Sequence, residues 1–222
     1  MTTAKGFAQP IVDLTLPLTS GTPSYPGEPG GYFLPFASIE GQGFVAHQLL
    51  LYTHLGTHVD APNHFLPNGH GVDGWDLERL CGPAMVVRMR PGAPRALTPR
   101  DLDWPHSPHA GDRIILMTGW DAHWGTEVYF EEFPVISEEL SHYLVQSGVV
   151  MLALDTPTPH DSHAEEIHHI LLGASIILVE GLTRTQTIRQ DFGTIICLPL
   201  PLKALDGSPA RVIFIPEQDG ER

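Results

Sequence analysis

The stretch SHAEEIHHILLGASIILVE, residues 162–180, holds the reading on which the fold turns. Ser162 and Glu165 stand in the S-x-x-E relation of a capping box, and Ile167, Ile170 and Leu171 form an apolar stripe that stops at Gly173. Ile176, Ile177, Leu178 and Val179 then run without a polar break, as expected of a strand covered on both faces. A helix that hands over at once to such a strand is half of a crossover unit, so the sheet is expected to be partly parallel. The same grammar appears just upstream. Ser137, Glu138 and Glu139 open a helix carrying Leu140 and Leu144, Gly148 closes it, and another apolar run begins at Val149.

Working outward, apolar runs bounded by turn residues predict strands at 11–16, 47–52, 84–89, 113–117, 149–154, 175–179, 195–200 and 211–215. The 21 prolines and 22 glycines are spread evenly, no repeat is present, and no linker divides the chain. The expectation is one α/β domain over residues 1–222. A net charge of −14 repels phosphate backbones and argues against a nucleic-acid partner. No apolar run is long enough to span a membrane, and Met1–Pro10 lacks the apolar core of an export signal, which predicts a cytoplasmic protein. Cys81 and Cys197 lie beside apolar stretches and read as buried thiols. No G-x-S-x-G, P-loop or G-x-G-x-x-G is present, which weakens serine hydrolase, NTPase and dinucleotide readings.

Nine of the 13 histidines cluster at 47–70 and 160–169. In the first cluster, His54, His58, Asp60 and His64 fall within eleven positions. On an ideal strand His54 and Asp60 would be about 20 Å apart. An ideal helix would rotate Asp60 away from the two histidines and tolerate Gly56, Thr57 and Pro62 poorly. A tight turn or bulge at Gly56 is left, folding the segment around an ion. Two imidazoles and a carboxylate suit a hydrolytic Zn²⁺ or Mn²⁺, which acidifies water and polarises a carbonyl, and His64 is placed to carry protons.

The string HLGTHVDAPNHF, residues 54–65, resembles the H-x-G-T-H-x-D-x-P-x-H-F signature of the cyclase-like metal hydrolases, whose members include bacterial kynurenine formamidases and isatin hydrolases. An early P-x-Y-P-G at Pro23–Gly27 and a late histidine-to-glutamate element extend the resemblance over most of the chain. It implies His54, His58 and Asp60 as metal ligands and His64 as the catalytic proton carrier. His168 and Glu180, twelve positions apart, would complete a site of one or two ions per subunit, with the adjacent His169 as the rival to His168. Tyr25 stands where the kynurenine formamidases carry a tryptophan, so it is the expected substrate wall in an altered form. The resemblance further implies a swivelling β/β/α fold with a barrel-like mixed sheet and flanking helices, and a homodimer or homotetramer. The implied activity is hydrolysis of a small amide, formamide or lactam. N-formylkynurenine, from tryptophan catabolism, is the leading substrate; lactam or lactone opening and a metal-binding protein without turnover are the alternatives.

Two further readings concern neighbours of these motifs. The loop Thr156–Asp161, which follows Asp155 at a strand end, is expected to line a site, and Asp161 to serve as a helix cap and turn residue. His106, His109 and His123 read as surface residues, while Trp75, Trp104, Trp120 and Trp124 read as core, interface or pocket wall.

Overall fold

A computed structural model describes residues 11–217; the opening segment read above for an export signal lies outside them. Strand β1 (Val12–Asp13) precedes a hairpin of β2 (Tyr32–Ala37) and β3 (Ala46–Leu50), whose connection holds the one-turn helix α1 (Ile39–Gln42). Then come β4 (His58–Asp60), α2 (Leu77–Leu80), β5 (Cys81–Met89), β6 (Ala96–Leu97), β7 (Leu102–Asp103), β8 (Arg113–Met117) and β9 (Val135–Ile136). Helix α3 (Glu138–Ser147), β10 (Met151–Leu154), α4 (Ala164–Gly173) and β11 (Ile177–Glu180) follow, and β12 (Phe192–Pro199) and β13 (Gly207–Pro216) close the chain.

The strands pair in the order β13-β12-β5-β8-β10-β11-β4, and β4 pairs back onto β13, so seven strands form a closed barrel. Strands β5, β8, β10 and β11 are parallel and the remaining pairs antiparallel. The mixed α/β barrel expected from residues 162–180 is therefore present. Alternation within its strands divides the core in two. Val86, Ile115, Ala153, Ile177 and Val179 fill the barrel, while Val87, Ile114, Leu116, Leu152 and Leu178 face Leu140, Leu144, Ile167 and Leu171 of α3 and α4. This double burial explains why β10 and β11 lack polar alternation. Cys197 is buried and Cys81 partly so, and both are free thiols. Among the described residues no helix is long and apolar enough to cross a membrane.

Helix α3 begins as expected, with the Ser137 hydroxyl accepting from the Leu140 amide at 3.1 Å, and stops at Gly148 in the left-handed region. Helix α4 begins differently. His163, not Ser162, occupies the N-cap and makes no side-chain cap bond, so the expected capping box does not form. Asp161 is a turn residue but no cap: its carboxylate accepts from the Ser162 amide at 2.6 Å and pairs with Arg95. The first expected strand is shortened to β1, because the Asp13 carboxylate accepts from the Thr15 amide and turns the chain.

Candidate metal centre

The segment between β3 and β4 makes the turn that its composition demands. Gly56 has φ +67°, the left-handed region that glycine enters without strain, and a Cβ there would lie 2.6 Å from a Leu18 methyl, which would have to move aside. Thr57 anchors the turn, its hydroxyl accepting from the Leu16 amide at 2.9 Å and donating to the Gly181 carbonyl at 2.6 Å. His58 and Asp60 then point the same way from β4, as residues two apart on a strand must. Antiparallel pairing sets Glu180 of β11 opposite His58, which joins the two distant motifs in one place.

Each central histidine is oriented by a carbonyl. The Nδ1–H of His58 donates to Gly56 at 2.9 Å and that of His168 to Ala164 at 2.6 Å, leaving both Nε2 atoms facing the carboxylates of Asp60 and Glu180. His58 Nε2 lies 3.4 Å from Asp60 Oδ1 and 3.3 Å from Glu180 Oε2. His168 Nε2 lies 3.4 Å from Asp60 Oδ2 and 3.4 Å from Glu180 Oε1. These separations exceed good N–H···O bonds. They equal the spacing of two ligands in one tetrahedral shell, about 3.3–3.4 Å for bonds near 2.0–2.1 Å. His58 Nε2, Asp60 Oδ2 and Glu180 Oε1 are fully buried without a hydrogen-bond partner, a costly state in a protein interior unless a cation fills the gap. The donor set therefore fits divalent ions, with each carboxylate able to offer one oxygen to each of two positions.

His54 joins from the side, its Nδ1 2.8 Å from Asp60 Oδ1 and its Nε2 2.9 Å from Asp206 Oδ2. Asp206 was not singled out by the sequence, since one acid at the end of the short loop between β12 and β13 carries no motif. His64 stacks on His54 with ring centres 4.0 Å apart, and its Nδ1 lies 3.7 Å from Asp206. His169 is excluded from the cluster: its Nε2 donates to the Phe65 carbonyl at 2.9 Å, and Phe65 in turn stacks on His168.

The charges follow this packing. Burial opposes a proton on His58, but Asp60 and Glu180 outweigh it and raise its pKa well above the ordinary value. Against the same burial, carboxylate neighbours push His54 up to about 9 and His168 up to about 10. Burial would raise Asp60, yet His54, His168 and His58 hold it well below the usual range. His64 moves the other way, lowered mainly by burial, which keeps it neutral and able to accept a proton.

Above the cluster opens a cavity of about 150 Å³ walled by Tyr25, Trp124, Tyr129 and Phe130, with His160 and Asp161 at its side. Tyr25 meets Phe130 edge-on at 5.9 Å, so it does stand in the wall. Of the four tryptophans, Trp124 lines this cavity and Trp75 is core, its indole N–H donating to the Asp60 carbonyl at 3.1 Å. The strand-end loop lines it as expected, through Pro157, Thr158, His160 and Asp161, while Asp155 itself stands behind. Its fully buried carboxylate accepts from the Thr118 and Gly119 amides, and the Trp120 indole next along donates to the Tyr129 carbonyl, bracing the wall from behind.

Residues 12–161 match the family described as "Putative cyclase". Kynurenine formamidase of Geobacillus thermodenitrificans is 32% identical over 206 residues, 91% of this chain and 95% of the relative. The chain belongs to the cyclase family. Its fold matches that of several solved structures. One, described as a potential metal-dependent hydrolase with cyclase activity, superposes with a TM-score of 0.81 at 23% identity, over 95% of this chain and all of the other. Another, an isatin hydrolase bound to the product analogue thioisatinate, gives 0.78 at 20% identity, over 93% of this chain and 92% of that one. Within the cyclase family match lie Tyr25, the complete HLGTHVDAPNHF string and Asp155, while His168 and Glu180 fall beyond its end.

Proposed function

We propose that this chain is a metal-dependent amidohydrolase cleaving a small aryl formamide, of which N-formylkynurenine is the leading candidate. The observation that carries the reading is the four-way spacing of 3.3–3.4 Å between two imidazoles and two buried carboxylates. In this reading His54, His58, Asp60, His168 and Glu180 would hold one or two Zn²⁺ or Mn²⁺ ions. When bound, such ions acidify water and draw electrons from a carbonyl. His64 takes the proton from water and delivers it to the leaving amine nitrogen. Asp206 steadies His54, and Tyr25, Phe130 and Trp124 hold an aromatic ring against the cluster while limiting water. Support for the formamide comes from the kynurenine formamidase relative. The compact aromatic cavity also suits a lactam such as isatin, and ring opening would use the same groups.

The test is hydrolysis of formanilides with parallel metal analysis. Activity is expected to vanish with a chelator and return with Zn²⁺ or Mn²⁺, and His58→Ala or Asp60→Ala should lose both ions and turnover. Full metal content with normal turnover in either variant overturns the assignment.

We also propose a homodimer or homotetramer built on the β2–β3 hairpin. Eight large apolar side chains between Tyr32 and Leu50 are 49–73% exposed. Together they offer on the order of 800 Å², the share each partner buries in a standard interface.

A further inference from the structure

His160 lines the cavity, yet it belongs to neither the ion cluster nor the aromatic wall. Its Nδ1 accepts a hydrogen bond from the His163 backbone amide at 3.1 Å. A proton on Nδ1 would face that amide hydrogen and leave it without an acceptor, so the ring proton sits on Nε2. The other charged neighbour of Nδ1 is Asp161 at 3.2 Å. That carboxylate is already engaged by Arg95 and by the Ser162 amide, so it has less need of a proton from His160. Burial also keeps the imidazole pKa below its ordinary value, which favours the neutral ring. Among the described residues none hydrogen-bonds to Nε2 at the far edge of the ring, and the side chain keeps 12% exposure. A ring whose Nδ1 is already taken thus lines the cavity, and no described residue receives its Nε2–H.

We propose that His160 is a specificity-determining donor, its Nε2–H binding a second carbonyl or carboxylate oxygen of the substrate, distinct from the carbonyl under attack. The inference rests on the amidohydrolase reading and narrows it to aryl amides that carry another acyl oxygen. A donor whose tautomer is set before binding favours a ligand that satisfies it over one that leaves it dry.

Two substitutions separate this role from a structural one. In His160→Asn the amide oxygen can take the place of Nδ1 and keep the bond from His163, but the donor is withdrawn. In His160→Gln the amide nitrogen reaches the place of Nε2, and the donor is kept. The ion-loaded enzyme is assayed on formanilide and on a formanilide bearing an ortho acyl group. Wild type is expected to prefer the acylated compound in kcat/KM. His160→Asn should lose that preference by on the order of 10- to 100-fold, chiefly in KM, with formanilide turnover and metal content unchanged. His160→Gln should retain most of it. A wild type that hydrolyses both compounds without preference overturns the proposal, as does an equal loss on both compounds in His160→Asn. A wild type that hydrolyses neither overturns the amidohydrolase reading itself.

Discussion

Three imidazoles share two buried carboxylates at the base of the cavity, and in the ion-free chain they hold protons where cations fit. With His54 near 9 and His168 near 10, both are charged at pH 7. The stabilisation this gives the ion-free fold is complete below an unperturbed imidazole pKa of about 6.5 and is lost as pH rises through 9 to 10. Metal binding must displace the same protons, so affinity should rise with pH across that window. Calorimetry of Zn²⁺ binding in two buffers of different ionisation enthalpy should register proton release at pH 7; binding without release would contradict these charges. His64 stands apart because burial lowers its pKa. His64→Ala should keep its ions and lose on the order of 10² to 10⁴ in kcat, the usual share of a positioned acid or base. Retained wild-type turnover would remove it from the mechanism, and loss of the ions would make it a ligand.

At the scale of elements, the cluster depends on the close crossing of β11 and the turn before β4. Gly181, at φ +66°, follows Glu180, and a Cβ there would meet the Gly56 carbonyl at 2.6 Å. That carbonyl orients His58. Gly181→Ala is expected to destabilise the fold by about 1–3 kcal/mol through strain and to reduce ion content. Thermal unfolding together with metal analysis checks both, and an unchanged ion content in a folded variant would show that the crossing tolerates movement. The elements themselves were unequally legible. Strands β10 and β11 declare themselves because burial on two faces removes their polar residues. Strand β4 does not, since His58 and Asp60 serve the cluster and leave only Val59 between them. The start of α4 was misread because Asp161, committed to Arg95 and the Ser162 amide, fixes a turn that shifts the cap to His163.

For the whole molecule, closure of the barrel through β4 and β13 joins residues far apart in the chain, with Asp60 opposite Gly207. The β2–β3 hairpin stays outside that closure. Of its strand residues only Ala37 is buried, and a two-stranded ribbon in water is marginal without a cover. Phe36 is 73% exposed at its centre. Phe36→Asp should shift the protein toward smaller species in light scattering, because a carboxylate is costly to bury in an apolar interface. Wild type that is monomeric at micromolar concentration, or a variant of unchanged size, would remove the hairpin from the assembly.

The sequence by itself determined the α/β class through local periodicity and offered His54, His58, Asp60 and His64 as candidate donors through their spacing around Gly56, while His168 and Glu180 entered only through the resemblance to the cyclase-like hydrolases. Only the tertiary structure decided between His168 and His169, since the choice turns on which face of α4 meets β11. It also supplied Asp206 behind His54 and the Nε2 donor on His160. Both arise where loops distant in sequence, or a backbone amide, meet a side chain, and no pattern of residue types along the chain encodes such a meeting.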